Sequence, residues 1–427
     1  MHERPEQRRV LAVLVAAQIL SGAGLAAGIT VGALLAEDMF GSTGLAGVPS
    51  ALFTAGAAFG AAGIGRLCRR WGRRPGLALG YGAAALGSLG VVVAAAVGSA
   101  ALLCGALLVY GAGTATNLMA RYAGADLASP ARRGRAVSTV LFATTLGAVA
   151  GPNLVTWTGD LAHAWGIPRL AGPFLLAFAA FAAAAAVLAA LLRPDPLRLA
   201  ARLAAEPERA DAAPDEVPAP GLPLGGAQRR GLVAGTAVMV LTQLVMIAVM
   251  TMTPVHMLAH GSDPQAAGLV IALHVAAMFL PSPLTGLLVD RYGRRWIAAA
   301  SGPLLLAAGV LAATAPPHSV PLLATALVLL GLGWNTGLVS GTAMVTDALP
   351  PERRAAVQGL VDVGIAGAGA AGGLSSGLVV AAGGYPVLAL AGGVLALAVL
   401  PAVGWSARTP RTDRAQRAAA RTEAGRT

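Results

Sequence analysis

Apolar runs of about twenty residues alternate with short polar segments along almost the whole chain, and a helix needs about 20 apolar residues to cross a ~30 Å hydrocarbon layer. The pattern therefore predicts membrane crossings near 10–36, 44–65, 76–97, 101–123, 136–158 and 170–192, then near 231–256, 266–289, 296–315, 319–343, 356–381 and 385–404. That makes about twelve helices in two sets of six. The first run follows Arg8 and Arg9. It is too long for a signal-peptide core and lacks a small-residue cleavage pattern, so it is expected to remain as the first helix.

The polar segments carry the orientation. Arginines at 8–9, 66–74, 132–135, 193–230, 291–295, 353–354 and 408–426 fall on one side of the alternation. Glu37, Asp38, Asp160, Asp263 and His318 fall on the other, with Arg169 the one basic exception. The positive-inside rule then predicts a multi-pass protein of the plasma (inner) membrane with both termini cytoplasmic. The organisation expected is a six-helix bundle over 1–192, a cytoplasmic linker over 193–228, a second bundle over 229–405 and a disordered tail over 406–427. Rich in Pro, Ala and charge, the linker cannot bury a core, although a short surface helix is expected near 197–205.

Composition agrees with this reading and removes competitors. Of 427 residues, 56% are hydrophobic and 11% charged, and the mean hydropathy is +0.71, whereas a soluble domain is about a quarter charged. The net charge of +11 lies in the inter-helix segments, so it reads as a topology signal rather than a nucleic-acid surface. Cys68 and Cys104 show neither metal nor redox spacing, and no disulfide is expected. No hydrolase triad, Walker loop or zinc spacing is present, so an enzyme, a bound cofactor and ATP-driven transport are not expected. A monomer whose partners are the bilayer and a small-molecule or metal-ion substrate is expected instead. A membrane sensor would need a larger soluble domain than this tail supplies.

Two loop types occur twice, displaced by 221 positions (65 to 286, and 126 to 347). Gly65, Arg69, Gly72, Arg73 and Arg74 return as Gly286, Asp290, Gly293, Arg294 and Arg295, and Asp126 with Pro130, Arg132 and Arg133 returns as Asp347 with Pro351, Arg353 and Arg354. Duplication of a membrane half is a property of secondary transporters. The loop at 286–295, with Asp290 and Arg291 inside it, resembles the G-x-L-x-D-R-x-G-R-R motif of the major facilitator superfamily. That resemblance implies two pseudo-symmetric six-helix bundles rocking about a central cavity, with the loop Asp helping to hold the halves together on the cytoplasmic side. The first copy departs from the motif, because Arg69 stands where Asp is expected. The segment Gly147-Ala148-Val149-Ala150-Gly151-Pro152 resembles part of an antiporter motif but lacks its trailing glycines. A bend with close helix packing accounts for it equally well.

The candidate substrate residues lie on the seventh and eighth spans. Met246 and Met250 form an MxxxM pair and His274 and Met278 an HxxxM pair, each on one helical face. Counted at 1.5 Å per residue, both pairs lie about 12 Å in from the outer end, near mid-membrane. Thioether and imidazole donors suit Cu(I), and the two pairs resemble those of the CcoA-like group of bacterial copper importers. Copper uptake through a metal site of Met246, Met250, His274 and Met278 is therefore the leading reading. The alternative is proton-coupled transport of a drug-like or other organic solute, since related members of that group move riboflavin. Met is also ordinary gap-filling material, but a histidine at that depth usually faces a cavity.

The other polar residues within spans are Gln18, Asn117, Asn153, Gln243, Asn335 and Asp362. Asp362 is the carboxylate deepest in an apolar run. Either Arg69 reaches it in a swapped charge contact across the halves, or Arg69 meets lipid phosphate while Asp362 bonds a neighbouring helix.

Overall fold

The computed structural model describes residues 5–40, 48–211 and 224–407. The tail arginines from 408 onward and the linker stretch 212–223 lie outside them, as do the side chains of Glu37, Asp38 and residues 148–153. The described residues are almost entirely helical and form two six-helix bundles.

The first bundle begins with α1 (Pro5–Phe40), α2 (Val48–Trp71) and α3 (Arg73–Val97). Its fourth crossing is split into α4 (Ala100–Tyr110) and α5 (Ala112–Asp126), its fifth into α6 (Arg133–Asn153) and α7 (Val155–Ala164), and α8 (Gly172–Leu191) closes it. A surface helix, α9 (Pro196–Asp211), follows. The second bundle runs through α10 (Gly226–Ala259), α11 (Pro264–Phe279), α12 (Ser282–Tyr292), α13 (Arg294–Thr314), α14 (Val320–Ala348), α15 (Pro351–Ala396) and α16 (Val399–Ser406).

Three features of the helix boundaries have local causes, and the first departs from the predicted spans. The eighth crossing is two helices, α11 and α12, because Pro281 and Pro283 interrupt the run. Within α15 the chain reverses at Gly384, whose φ of 82° lies in the left-handed region that favours glycine. Beyond that turn Tyr385 returns to Thr253 and Gly392 packs on Val245 and Val249, so the segment supplies the eleventh and twelfth crossings. Gly72 and Gly293, with φ of 95° and 94°, break the chain identically between Trp71 and Arg73 and between Tyr292 and Arg294.

Each bundle has its own apolar core. Leu14, Leu77, Tyr81, Phe174 and Phe181 anchor the first, and Leu305, Leu327, Leu330, Trp334 and Leu338 the second. In the first, Tyr110 sits edge-on to Phe174 and Phe181, and its hydroxyl donates to the Gly24 carbonyl at 2.8 Å. Gln18, Ser21, Asn117 and Thr144 satisfy one another across α1, α5 and α6, which an apolar surround requires of polar groups. Large apolar side chains such as Phe59, Trp296, Leu374 and Leu378 face outward, as a lipid-facing surface demands. By length and composition, ten described helical segments can cross a membrane, and one of them is the double crossing that reverses at Gly384.

Candidate functional site

The hydrogen bonds and ion pairs between the bundles cluster at the arginine-rich end. Arg73, the first residue of α3, donates from Nε to the Asp126 carboxylate at 2.9 Å with both side chains buried, and its other nitrogen bonds Gln358 of α15. Arg354, at the start of α15, donates to the Asp126 carbonyl at 3.2 Å. The same construction returns in the other half, where Asp347 receives Arg294 from the start of α13 and Arg133 from the start of α6. The charged residues among these are exchanged by the 221-residue displacement: 73 with 294, 126 with 347, and 133 with 354. Each acidic helix terminus therefore binds one arginine of its own half and one of the other.

The motif glycines permit the close approach beneath these charges. A Cβ on Gly286 would meet Ser138 Oγ at 2.1 Å and the Gly134 carbonyl at 2.6 Å. On Gly65 it would meet the Gly359 Cα at 2.9 Å. These contacts join α12 to α6 and α2 to α15. Asp290 then accepts from the backbone N–H of Gly134 at 2.8 Å and of Arg135 at 3.1 Å, and from Arg135 Nε at 3.0 Å. Its carboxylate thus caps the N-terminal turn of α6, where unpaired N–H groups and the helix dipole favour negative charge. At the equivalent place in the first half Arg69 is exposed. Arg291 is also exposed and lies over the Tyr292 ring.

Asp362 does not meet Arg69. Its Oδ1 accepts from Arg121 Nη2 of α5 at 2.7 Å, both groups being buried. Arg121 further donates to Thr342 Oγ1 of α14 at 2.9 Å and to the Tyr122 hydroxyl at 3.1 Å, and its guanidinium lies 4.3 Å from the Tyr122 ring centroid. The physical reason is reach. Arg121 lies inside the protein between the bundles, whereas Arg69 lies on the surface of α2, where water and headgroups solvate it. Arg121 is absent from the residues the sequence singled out. Its signal was an arginine within the fourth predicted span, a position as costly as that of Asp362.

The four soft donors belong to one apolar neighbourhood. Met246 and Met278 are buried members of the second core, and Met250 packs against it. His274 is fully buried, and its Nδ1 lies 2.7 Å from the Leu327 carbonyl of α14. With Nδ1–H donating there, Nε2 keeps its lone pair, and it has no hydrogen-bond partner. Helix α14 packs broadly on both α10 and α11, which touch each other little. The methionine pair of α10 and the His–Met pair of α11 therefore flank α14 at a similar depth. Gly147 lies against the backbone of α1 at Ile19 and Ala23, a packing role that does not distinguish antiport from other transport.

An aromatic–amide group spans the same three helices. Trp334 Nε1 donates to Gln243 Oε1 at 2.7 Å, and the Trp334 and Phe279 rings meet edge-on with centroids 5.5 Å apart. Trp334 lies eight residues from Thr342 along α14, about 12 Å from the Arg121 contact toward the opposite end.

Comparison with known proteins agrees with this architecture. The profile of the Major Facilitator Superfamily matches residues 14–262 and again 235–426. YddS of Bacillus subtilis, named an uncharacterized MFS-type transporter, is 52% identical over 399 residues, 93% of this chain and 91% of its own length. The riboflavin transporter RfnT of Brucella anthropi is 33% identical over 369 residues, 85% of this chain and 86% of that protein. A crystal structure of a double-Trp mutant of XylE matches with a TM-score of 0.74 at 17% identity, over 95% of this chain and 97% of that one. A duplicated twelve-helix fold, a profile matching both halves and relatives at this identity together place the chain in the Major Facilitator Superfamily, as a transporter of a small solute.

Proposed function

We propose that the transported solute is a flat heteroaromatic molecule of the flavin type, held against Phe279 and Gln243 with Trp334 buried behind them. The observation that carries this reading is the Trp334–Gln243 hydrogen bond with Phe279 edge-on beside it. The half-buried Phe279 offers ring surface for stacking and the half-buried Gln243 an amide for the edge of a heterocycle, while the buried Trp334 fixes both in place. The similarity to RfnT over most of the chain supports the same substrate class. Both termini are placed in the cytoplasm by arginine distribution. The arginine-rich end is then the cytoplasmic gate, closed here by the Asp126, Asp347, Asp290 and Asp362 contacts, and transport requires those contacts to part.

Copper is the second reading, and one observation favours it. His274 has its Nδ1 held by a backbone carbonyl and its Nε2 unpartnered in a methionine-rich core, the arrangement in which an imidazole serves as a metal ligand. Met278, one turn on along the same helix, would be its soft partner, whereas Met246 and Met250 stand across α14 and would have to move to join them.

Uptake of labelled riboflavin and of copper into vesicles containing the purified protein separates the two. The flavin reading expects saturable riboflavin uptake that Trp334→Ala abolishes and His274→Leu spares. Copper accumulation lost in His274→Leu, without riboflavin uptake in the wild type, would replace it with the metal.

A further inference from the structure

We propose that an anionic phospholipid of the cytoplasmic leaflet binds a built site between α3, α8 and α9, with its phosphate on Arg74 and Arg198. A cavity of about 760 Å³ opens there, lined by Trp71, Arg74, Pro75, Leu79, Ala186 and Arg198 among others. Its two ends differ in chemistry. Toward the membrane interior, Ala78, Leu79, Ala185, Ala186 and Ala189 make a shallow apolar groove along α3 and α8, wide enough for an acyl chain because the three α8 residues that line it are alanines. Toward the arginine-rich end stand two guanidinium groups and the half-exposed Trp71 ring. Trp at a lipid–water boundary is itself an interfacial anchor.

The single carboxylate at the site, Asp195, is already committed. Its Oδ2 accepts from the Arg74 backbone N–H at 2.8 Å, and its Oδ1 from those of Leu197 and Arg198 at 3.1 Å each. Gly72 makes this possible, because a Cβ there would lie 2.4 Å from Asp195 Oδ2. Asp195 thus caps two helix N-termini, α3 and α9, and leaves the cationic side chains unneutralised. Arg74 donates Nε to the Ala189 carbonyl at 2.7 Å, which aims its terminal nitrogens at the cavity mouth. The Arg198 side chain is exposed, and its guanidinium has no hydrogen-bond or ion-pair partner among the described residues. Two arginines converging above an apolar groove at a membrane surface match a phosphate with an acyl chain below it. With no free carboxylate to receive a headgroup amine, the site favours a net-anionic lipid over a zwitterionic one.

Among the described residues the second half shows no equivalent of this site: a Cβ on Gly293 would meet nothing within 4 Å, where one on Gly72 would strike Asp195. A bound lipid would fasten α9, whose Leu197 already joins the first core and which also packs on α15 of the second bundle, to α3 and α8. The inference rests on the cytoplasmic placement of the arginine-rich end and is independent of which solute is carried.

Native mass spectrometry of the purified full-length protein, titrated with phosphatidylglycerol, phosphatidylethanolamine or inorganic phosphate, tests it without any transport substrate. The expected result is one phosphatidylglycerol retained at least tenfold more tightly than phosphatidylethanolamine, with that preference lost in Arg198→Gln. Arg198 is exposed and unpartnered, so this variant folds. Leu79→Trp, which fills the groove from an exposed position, should lower retention of both lipids. Equal phosphatidylglycerol retention by wild type and Arg198→Gln, or inorganic phosphate bound as tightly as the lipid, would overturn the proposal. Reporter fusions placing the termini outside would remove the cytoplasmic placement separately.

Discussion

Replacing Asp290 with asparagine exchanges one oxygen for an NH2 group and should open the arginine-rich end. The asparagine oxygen still accepts from Gly134 N–H, but its amide nitrogen then faces the backbone N–H and Nε of Arg135, which the carboxylate now receives at 3.1 and 3.0 Å. The backbone bond to a charged acceptor in a nearly buried place contributes about 1.5 kcal/mol, the low end for a charged partner. Loss of negative charge at the first turn of α6 removes about 0.5 kcal/mol more. The Arg135 side chain is half exposed, so its share is discounted to a few tenths. The sum is about 2 kcal/mol, or roughly a 30-fold shift in the open-to-closed ratio at that end. Spin labels at the exposed positions of Arg70 and Arg295 would report it by pulsed electron–electron resonance as a second, longer distance. Asp160→Asn, which breaks an exposed ion pair to Arg169 at the opposite end, serves as the control. An unchanged distance distribution in Asp290→Asn, or an equal change in the control, would refute the argument.

Three further outcomes follow from the same gate. Asp362→Asn leaves the Arg121 guanidinium buried without a counter-charge and should lower stability by about 3–5 kcal/mol; adding Arg121→Met should recover part of it, and additive losses in thermal unfolding would show that the two do not interact. Gly65→Val forces methyl groups against the Gly359 backbone and should push α2 from α15, giving the longer spin-label distance. Gly63→Ala, where a Cβ meets nothing within 4 Å, should not. Arg69→Asp places a carboxylate at the mirror position of Asp290, near the positive N-terminal end of α15, and should slow opening; faster vesicle uptake would contradict the mirror argument.

Hydrophobic run length alone made the crossings legible, because bilayer thickness fixes the length of a helix that spans it. The displaced loops were legible because Gly, Asp and Arg are rare enough in such a chain for their spacing to carry information. What did not appear was the partner of each charge. Asp362 was visible as a buried carboxylate, but choosing between Arg69 and a neighbouring helix needed the rotation of α2, which places Arg69 outside. Arg121 escaped notice because a span remains apolar on average with one arginine in it, and averaging hides the residue whose cost is highest. The break between α11 and α12 was signalled by Pro281 and Pro283, yet mean hydropathy runs smoothly across them. For the methionines and His274, helical spacing gave depth and face. It could not reveal that α14 stands between the two helices.

The contact between Arg121 and Thr342 joins residues 221 positions apart, the same displacement that exchanges the two halves. Each is the other's copy, so they meet on the internal dyad of the molecule. A residue on such an axis faces its own duplicate, whereas one off the axis faces something different. Arg73 and Arg294, Asp126 and Asp347, and Arg133 and Arg354 all lie off it, and duplication could leave them identical. On the axis an unchanged copy would set two guanidinium groups within about 4 Å, a repulsion of about 4 kcal/mol at an effective dielectric of 20. Two equal halves therefore cannot both keep an arginine at this point of the seam. The pairing of a long cation with a short hydroxyl is the mark of that divergence, and with it the protein gains a charge at its centre that no symmetric ancestor could have held there unopposed.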